Sequence, residues 1–233
     1  MKERLLKVLT LRGHTFMPAP LSALSVVVDL GANEGEFARA VVERFGCRCI
    51  AVEANPRLAK RLRGLPGIEA LWCAVGGREG ETDLFLSEKS DASTVLGDRA
   101  GGHGGERVRV PMRRLWGLLA EAGVSRVDLL KLDIEGSEIA VLESMSDEEV
   151  RRCGQITVEF HDFCGLVSGE EIRRARDRLA AAGFAGMRFG RENMNWLFVR
   201  RGVVGPATQL YVNQVVRRAR AAARVLRGGK RDY

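Results

Sequence analysis

Short apolar runs alternate along the chain with segments in which apolar residues recur at helical spacing. Nearly continuous apolar runs are typical of strands covered on both faces, as in a parallel sheet flanked by helices. The pattern predicts seven strands, over residues 25–30, 48–53, 69–75, 128–133, 155–160, 185–189 and 196–199. The last two lie close together along the chain, so we expect the final strand to run antiparallel to its neighbours.

Amphipathic segments between these strands predict helices on both faces of the sheet. Asn55-Pro56 opens one of them, because proline suits the first helical turn. Ser168 and Glu171 have the spacing of a capping box, and Gly183 ends the helix that follows. The predicted helices cover residues 36–45, 57–63, 113–122, 137–144 and 170–182, and the alternating segments 82–88 and 107–112 are predicted to pair as a side hairpin.

These elements predict one main α/β domain with a short extension at each end. We assign residues 1–24 to an N-terminal helical or loop segment, 25–205 to the main domain, and 206–233 to a basic C-terminal helix and tail. The five cysteines are odd in number and scattered, which suits a reducing compartment, so a cytoplasmic location is expected. His14 and His103 lie in predicted surface segments and receive little functional weight.

Positive charge is concentrated at the C-terminus. The net charge of the chain is +7, and residues 217–233 contribute +6 of it. Arg217, Arg220, Arg224 and Arg227 form one stripe of a predicted amphipathic helix. This helix could pack on the body, make a peripheral contact with the inner membrane surface, or hold RNA phosphates. Without an aromatic ladder beside the arginines, a nucleic-acid partner is the less expected choice.

A glycine-bearing turn, DLGANEG at residues 29–35, follows the first predicted strand. Gly31 lets the chain bend tightly, and Gly35 is expected to let a ligand approach the backbone. The helix that begins after it presents amide groups to an anion such as a carboxylate. The glycine spacing differs from the dinucleotide fingerprint G-x-G-x-x-G, and Asp29 would repel a pyrophosphate but could stabilise an ammonium group. The turn therefore favours S-adenosylmethionine over NAD.

Two further segments belong beside this turn in a parallel sheet. Glu53 ends the second predicted strand, where an acidic side chain can accept hydrogen bonds from a ribose diol. Small apolar residues at the end of the third strand could flank an adenine ring. The predicted cofactor-binding residues are Asp29, Gly31, Ala32, Asn33, Gly35, Glu53, Ala54, Asn55, Ala74, Val75 and Asp133.

Candidate catalytic residues occur at the carboxyl ends of the fourth and fifth strands, where open α/β sheets bind ligands. They are Asp133 and Glu135 in one segment and Glu159 and His161 in the other. An imidazole with an ordinary pKa near 6.5 suits proton removal, so His161 is the predicted general base, oriented by Glu159 or Asp133. Glu135 and Glu138 could equally be stabilising acids in a first helical turn. A Mg²⁺ ion held by Asp133, Glu135, Glu159 and His161 is a less expected variant, and no metal ligand is assigned.

Six motifs in order, VDLGANEGEF, VEANP, AVGGREG, DLLKLDIEGSE, VEFHD and NWLF, carry a resemblance that runs from about Val26 to Val199. The chain resembles the FkbM family of S-adenosylmethionine-dependent methyltransferases. The matching residues are Asp29, Gly31, Asn33, Gly35, Glu53, Asn55, Asp133, Glu135, Gly136, Glu159, His161 and Asn195.

This resemblance implies a Rossmann-like class I methyltransferase fold over residues 25–205. It also implies O-methylation of a hydroxyl on a small molecule or glycan, such as a sugar, a polysaccharide- or lipid-linked glycan, or a polyketide. Two alternatives stay open: an RNA methyltransferase that uses the basic tail, and a non-catalytic scaffold that binds S-adenosylmethionine.

Overall fold

The computed structural model describes residues 8–86, 93–95, 106–162, 165–189 and 195–201. Its strands in chain order are β1 (Leu9–Leu11), β2 (His14–Phe16), β3 (Val26–Leu30), β4 (Arg48–Glu53), β5 (Ile68–Trp72), β6 (Ala74–Val75), β7 (Gly80–Leu86), β8 (Ser93–Thr94), β9 (Arg107–Arg113), β10 (Val127–Leu132), β11 (Cys153–Glu159), β12 (Phe184–Arg188) and β13 (Asn195–Arg200). Its helices are α1 (Glu36–Phe45), α2 (Pro56–Leu62), α3 (Leu115–Glu121), α4 (Glu138–Ser144), α5 (Asp147–Arg151) and α6 (Gly169–Ala181).

A seven-stranded sheet in the order β12-β13-β11-β10-β3-β4-β5 forms the centre of the fold. The five strands from β11 to β5 pair in parallel, and β13 runs antiparallel to both of its neighbours. The predicted α/β sheet with an antiparallel last strand is therefore confirmed. Strand order reverses between β3 and β10, and at such a switch point the carboxyl ends of neighbouring strands leave a crevice for a ligand.

The predicted third strand is in fact two strands. The segment breaks at Cys73, and β6 leaves the central sheet to pair in parallel with β9. The pair β7 and β9 is antiparallel, as the alternating pattern predicted, and completes a four-stranded side sheet. A run of apolar residues cannot reveal that its second half changes sheets. The short helix α5 was also not predicted, although Ser146 and Glu149 cap it with a capping box.

The described part of the N-terminal segment is a hairpin, where a helix or loop was expected. Arg12 and Gly13 join β1 to β2 and both have positive φ, as a two-residue hairpin turn requires. The side-chain amide of Gln155 accepts from Met17 N at 2.9 Å and donates to Met17 O at 2.9 Å. These two buried hydrogen bonds fasten the hairpin to the central sheet.

The basic C-terminal helix predicted for residues 206–233 and the histidine at 103 lie outside the described residues. Within the described part of the chain, none of the helices has the length and apolar character that crossing a membrane requires. The division into three segments and the peripheral membrane contact stay predictions.

Candidate functional site

The turn after β3 depends on two glycines for reasons of packing. Gly31 has a φ of +74°, and a Cβ there would lie 1.8 Å from the carbonyl oxygen of Asp133. Gly35 has a φ of +78°, and its Cβ would lie 2.7 Å from side-chain atoms of Leu62 and Leu65. The space that a side chain at residue 35 would occupy is therefore filled by these two leucines. The approach of a ligand to the backbone of Gly35 stays a prediction.

Asp29 is fully buried beneath this turn. Its Oδ1 lies 2.9 Å from Nζ of Lys131, which also donates to the carbonyl oxygen of Gly31 at 2.8 Å. Burial opposes the charge of Lys131, but the carboxylates of Asp29 and Asp133 outweigh it, so its pKa is raised. Asp29 acts on the turn through Lys131. This differs from the expected contact between Asp29 and the ammonium group of a ligand.

Glu53 is buried at the end of β4 and is held by backbone amides. Asn33 N donates to its Oε2 at 2.9 Å, and Asn55 N donates to its Oε1 at 2.8 Å. Burial raises the pKa of Glu53, and these two hydrogen bonds oppose the shift. Asn55 also caps α2 through Arg57 N, so its side chain serves the helix.

A cavity opens between the turn, the ends of β4 and β6, and the segment after β10. The predicted cofactor-binding residues that line it are Gly31, Asn33, Glu53, Ala54, Ala74, Val75 and Asp133. Apolar side chains of Val52, Leu84 and Val95 extend its wall. We call this the nucleoside cavity, because apolar side chains line it beside the carboxylate of Glu53, the predicted ribose ligand. Among the other predicted residues, Ala32 lines a second cavity beside it, while Asp29, Gly35 and Asn55 line neither.

The second cavity shares Gly31, Asn33 and Asp133 with the first. It is also lined by Arg12 and His14 of the N-terminal hairpin. Asp133 therefore stands where the two cavities meet.

Asp133 is also the centre of a set of ionisable side chains. Its Oδ2 lies 3.2 Å from His14 Nε2 and 3.5 Å from Lys131 Nζ, and its Oδ1 lies 3.7 Å from His161 Nε2. Burial would raise the pKa of Asp133, but these positively charged neighbours, Lys131 above all, hold it well below its usual range. We call the following residues the carboxylate–imidazole cluster: His14, Asp133, Glu135, Glu138, Glu159 and His161.

His161 is buried between carboxylates on both sides of its ring. Its Nδ1 lies 2.9 Å from Oε1 of Glu138, and its Nε2 lies 3.2 Å from Oε2 of Glu135. Burial lowers the pKa of His161, but the hydrogen bond to Glu138 and the charges of Glu138, Glu135 and Asp133 outweigh it and raise the pKa to about 9. This shift favours the protonated imidazole near neutral pH, and the role of His161 as general base stays a prediction.

Glu138 holds His161 in place. It is fully buried, and its Oε1 also accepts from the backbone amides of Ile134 at 3.0 Å and Gly136 at 3.2 Å. The turn that supplies these amides contains Glu135, whose φ of +50° is uncommon for a residue other than glycine. Glu138 thus combines the expected role of a first-turn acid with direct contact to the imidazole.

Two more carboxylates complete the cluster. Burial raises the pKa of Glu135, and the charge of His161 opposes that shift. Burial, together with Asp133, raises the pKa of Glu159 to about 7. Glu159 is paired in register with Asn195, whose Oδ1 is buried without a hydrogen-bond partner among the described residues.

Two overlapping groups in the cluster have the spacing of metal ligands. Asp133, Glu135 and His161 form one group, and His14, Asp133 and Glu159 form the other. Within each group the ligand atoms lie within 4.8 Å of one another.

Sequence reasoning missed His14 and Lys131 as members of the site. The signal for Lys131 was present, because a lysine inside a buried apolar strand needs an anionic partner. No local pattern marks His14, since the contact joins residues 119 positions apart in the chain.

The strand order, the antiparallel β13 and the cavity at the switch point define a Rossmann-like methyltransferase of class I. Residues 29–185 match the family described as the methyltransferase FkbM domain. The chain belongs to this family of methyltransferases.

Similar proteins include curated sequences and a solved structure. The chain is 28% identical over 181 residues to the AMB antimetabolite synthetase AmbE of Pseudomonas aeruginosa, covering 59% of this chain and 8% of that one. It is 36% identical over 72 residues to the 31-O-demethyl-FK506 methyltransferase FkbM of Streptomyces tacrolimicus, covering 31% and 27%. The structure of methyltransferase FkbM from Methylobacillus flagellatus aligns with a TM-score of 0.52 at 13% identity, covering 77% and 44%. Each of these three matches thus covers less than half the length of the other protein.

Proposed function

We propose that this methyltransferase uses S-adenosylmethionine to methylate a hydroxyl group of a small-molecule or glycan acceptor. The observation that carries the proposal is the position of Asp133, which lines the nucleoside cavity, lines the second cavity and belongs to the carboxylate–imidazole cluster. One residue therefore connects a site suited to a nucleoside with a site rich in proton-accepting oxygens.

The nucleoside cavity fits the cofactor in its chemistry. The carboxylate of Glu53 is fixed by two backbone amides and still lines the cavity, so it could accept hydrogen bonds from a ribose diol. Ala74 and Val75 are small enough to leave room for a flat ring. The side-chain oxygen of Asn33 is buried without a hydrogen-bond partner among the described residues, which leaves an acceptor for a polar group of the cofactor.

The carboxylate–imidazole cluster has the chemical groups that a hydroxyl acceptor of the methyl group needs. When bound, S-adenosylmethionine supplies an electrophilic methyl group, and a hydroxyl needs orientation and loss of its proton to attack it. Asp133, Glu135 and Glu159 offer oxygens to that hydroxyl, and Lys131 keeps Asp133 ionised. The relative from Streptomyces tacrolimicus is named for methylation at an oxygen of FK506, which supports a hydroxyl acceptor here.

Calorimetry with S-adenosylmethionine, S-adenosylhomocysteine and NAD tests the cofactor. We expect both adenosyl compounds to bind with a stoichiometry of about one and NAD to give no saturable heat, because the turn lacks a dinucleotide fingerprint. Tight binding of NAD without a response to the other two would overturn the proposal.

The acceptor class is tested with cofactor labelled with ¹³C in the transferable methyl group. Pools of sugars, glycosides and hydroxylated polyketides are incubated with the protein, and the products are examined by NMR. We expect signals of methoxy carbon. Transfer only to nitrogen would contradict O-methylation, and transfer only to RNA, added as a separate pool, would contradict a small-molecule or glycan acceptor.

A further inference from the structure

The carboxylate–imidazole cluster contains an arrangement that the methyl-transfer proposal does not explain. His161 has a carboxylate on each side of its ring: Glu138 at Nδ1 and Glu135 at Nε2. A carboxylate accepts hydrogen bonds but cannot donate one, so a cation must lie between Nε2 and the oxygens that face it. That cation is either a proton or a metal ion.

The contact at Nδ1 has the form of the outer shell of a metal site. A metal-ligating histidine usually donates its other N–H to a carboxylate or carbonyl, which fixes the tautomer and turns the second nitrogen toward the metal. Glu138 Oε1 takes that place at 2.9 Å, and backbone amides of the preceding turn fix its position. The arrangement turns Nε2 toward Glu135 and Asp133.

The spacing of the atoms fits a small divalent ion. Neighbouring ligand atoms around an octahedral ion at about 2.1 Å lie roughly 3 Å apart. His161 Nε2 lies 3.2 Å from Glu135 Oε2 and 3.7 Å from Asp133 Oδ1. The other oxygen of Asp133, Oδ2, faces His14 and Lys131, so Oδ1 is directed away from them.

The net charge of the cluster, counted together with Asp29 and Lys131, also favours binding of a cation. Among the described residues, the connected set contains five carboxylates: Asp29, Asp133, Glu135, Glu138 and Glu159. Against them stand the ammonium of Lys131 and the imidazoles of His14 and His161. When all five carboxylates are ionised, an excess of negative charge remains even with both imidazoles protonated, and buried charge of one sign is costly without a counter-ion. S-adenosylmethionine, with a single net positive charge, would not neutralise it alone.

A second buried imidazole lies against Asp133. His14 is only 2% exposed, it lies against the same carboxylate of Asp133, and its Nδ1 has no hydrogen-bond partner among the described residues. His14, Asp133 and Glu159 form the overlapping group of potential ligands. His14 of the hairpin therefore contacts one oxygen of Asp133, and His161 faces the other.

We propose that Asp133, Glu135 and His161 bind one divalent cation of the Mg²⁺ or Mn²⁺ type, with Glu138 holding His161 in its ligating tautomer. Two carboxylates and one imidazole suit such an ion, with water or an acceptor hydroxyl in the remaining positions. The inference rests on the proposed function for its role, which is to bind and polarise the acceptor hydroxyl.

Electron paramagnetic resonance of Mn²⁺ with the full chain, in the absence of S-adenosylmethionine, tests the site. We expect one saturable site, competition by Mg²⁺, and spin-echo modulation from a directly bound imidazole nitrogen. His161→Asn should remove the nitrogen modulation, and Glu135→Gln should weaken binding about tenfold without removing it. Glu138→Gln should weaken binding by about tenfold while the modulation persists.

Glu81→Gln provides the matched control, since Glu81 is an exposed carboxylate of the side sheet that pairs with Arg109. It should bind Mn²⁺ as the unaltered chain does. Circular dichroism identifies any variant that fails to fold, and Glu135→Gln is the milder test because Glu135 is partly exposed. Absence of saturable binding up to about 1 mM Mn²⁺, which corresponds to roughly −4 kcal/mol, would overturn the site. Nitrogen modulation that persists in a folded His161→Asn variant would overturn the assigned ligands.

The two proposals fail in different ways. Calorimetry of S-adenosylmethionine binding is performed with a chelator present. Cofactor binding in chelator together with absent Mn²⁺ binding would reject the metal site alone. Mn²⁺ binding without any cofactor binding would reject the proposed function and would still support the metal site.

Discussion

The two ends of the site are constructed in different ways. At the nucleoside cavity, Glu53 is fixed by amides of Asn33 and Asn55, which lie 20 and 2 positions away in the sequence. At the carboxylate–imidazole cluster, His14 and Asp133 meet across 119 positions, and Glu138 and His161 meet across 23. Backbone amides hold Glu53 at the first end, whereas contacts between ionisable side chains of distant elements hold the second end together. Changes at the cluster should therefore act mainly on the free energy of unfolding, and changes at the cavity should act mainly on cofactor affinity.

The largest effect is expected for Lys131→Met, which removes the ammonium group beside Asp133 of the cluster. The change leaves Asp29, which is fully buried, without the cation that contacts it at 2.9 Å. Breaking a buried ion pair by removing one partner costs about 4 kcal/mol. Urea unfolding followed by circular dichroism measures this loss. The double variant Asp29→Leu with Lys131→Met should recover part of it, and a double variant as unstable as the single one would contradict the pairing.

A smaller loss is expected for Gln155→Leu, which releases the N-terminal hairpin. The amide and the carbonyl of Met17 both lose a buried partner, so the free energy of unfolding should fall by about 2 kcal/mol. Hydrogen exchange should increase in β1 and β2 while β4 stays protected. Affinity for S-adenosylmethionine should change little, because the hairpin does not line the nucleoside cavity.

Thr10→Val is the control for this variant. Thr10 and Thr15 share a hydroxyl contact at 2.9 Å within the hairpin. Removing it should change stability by less than about 1 kcal/mol. Equal losses in Thr10→Val and Gln155→Leu would show that Gln155 does not fasten the hairpin.

The difference between the two ends also explains what the sequence could predict. Runs such as VVVDL and VDLLKL determine the parallel strands, and strand ends place Glu53 and Asp133 at the same edge of the sheet. Sequence spacing could not show that Leu62 and Leu65 fill the space beside Gly35. Nor could it show that Glu138 and Glu135 flank His161 and raise the pKa of that imidazole.

At the nucleoside cavity, Glu53→Gln should change binding more than stability. A carboxylate can accept hydrogen bonds from a ribose diol through two oxygens, whereas the amide of the variant has only one oxygen. Affinity for S-adenosylmethionine should therefore fall about tenfold, or about 1.4 kcal/mol. The substituted side chain has one acceptor oxygen for two backbone amides, but removal of a buried charge offsets part of that loss, so the free energy of unfolding should fall by only about 1 kcal/mol. Calorimetry and urea unfolding on the same preparation measure the two effects. A large loss of stability without a loss of affinity would contradict the expectation that changes at the nucleoside cavity act mainly on binding.

The smallest effect is a dependence of both quantities on pH, in opposite directions. The pKa of Glu53 is raised by burial, so its carboxyl holds a proton more strongly in the folded chain than in the unfolded chain. Its contribution to stability is therefore fully present below the unfolded pKa and is lost as the pH rises through the folded pKa. Binding follows the ionised form, so affinity for the cofactor should increase over the same interval.

Measurements between about pH 5 and 7 avoid titration of the cofactor's own amino group, because α-amino groups titrate near pH 7.7–8.0. Comparing the unaltered chain with Glu53→Gln at each pH isolates the contribution of this one carboxyl. In the variant, the part of each pH dependence that belongs to Glu53 should disappear, while the titrations of the carboxylate–imidazole cluster remain. If affinity instead fell with rising pH in the unaltered chain alone, the protonated carboxyl would be the form that binds. Glu53 would then donate a hydrogen bond to the cofactor instead of accepting one.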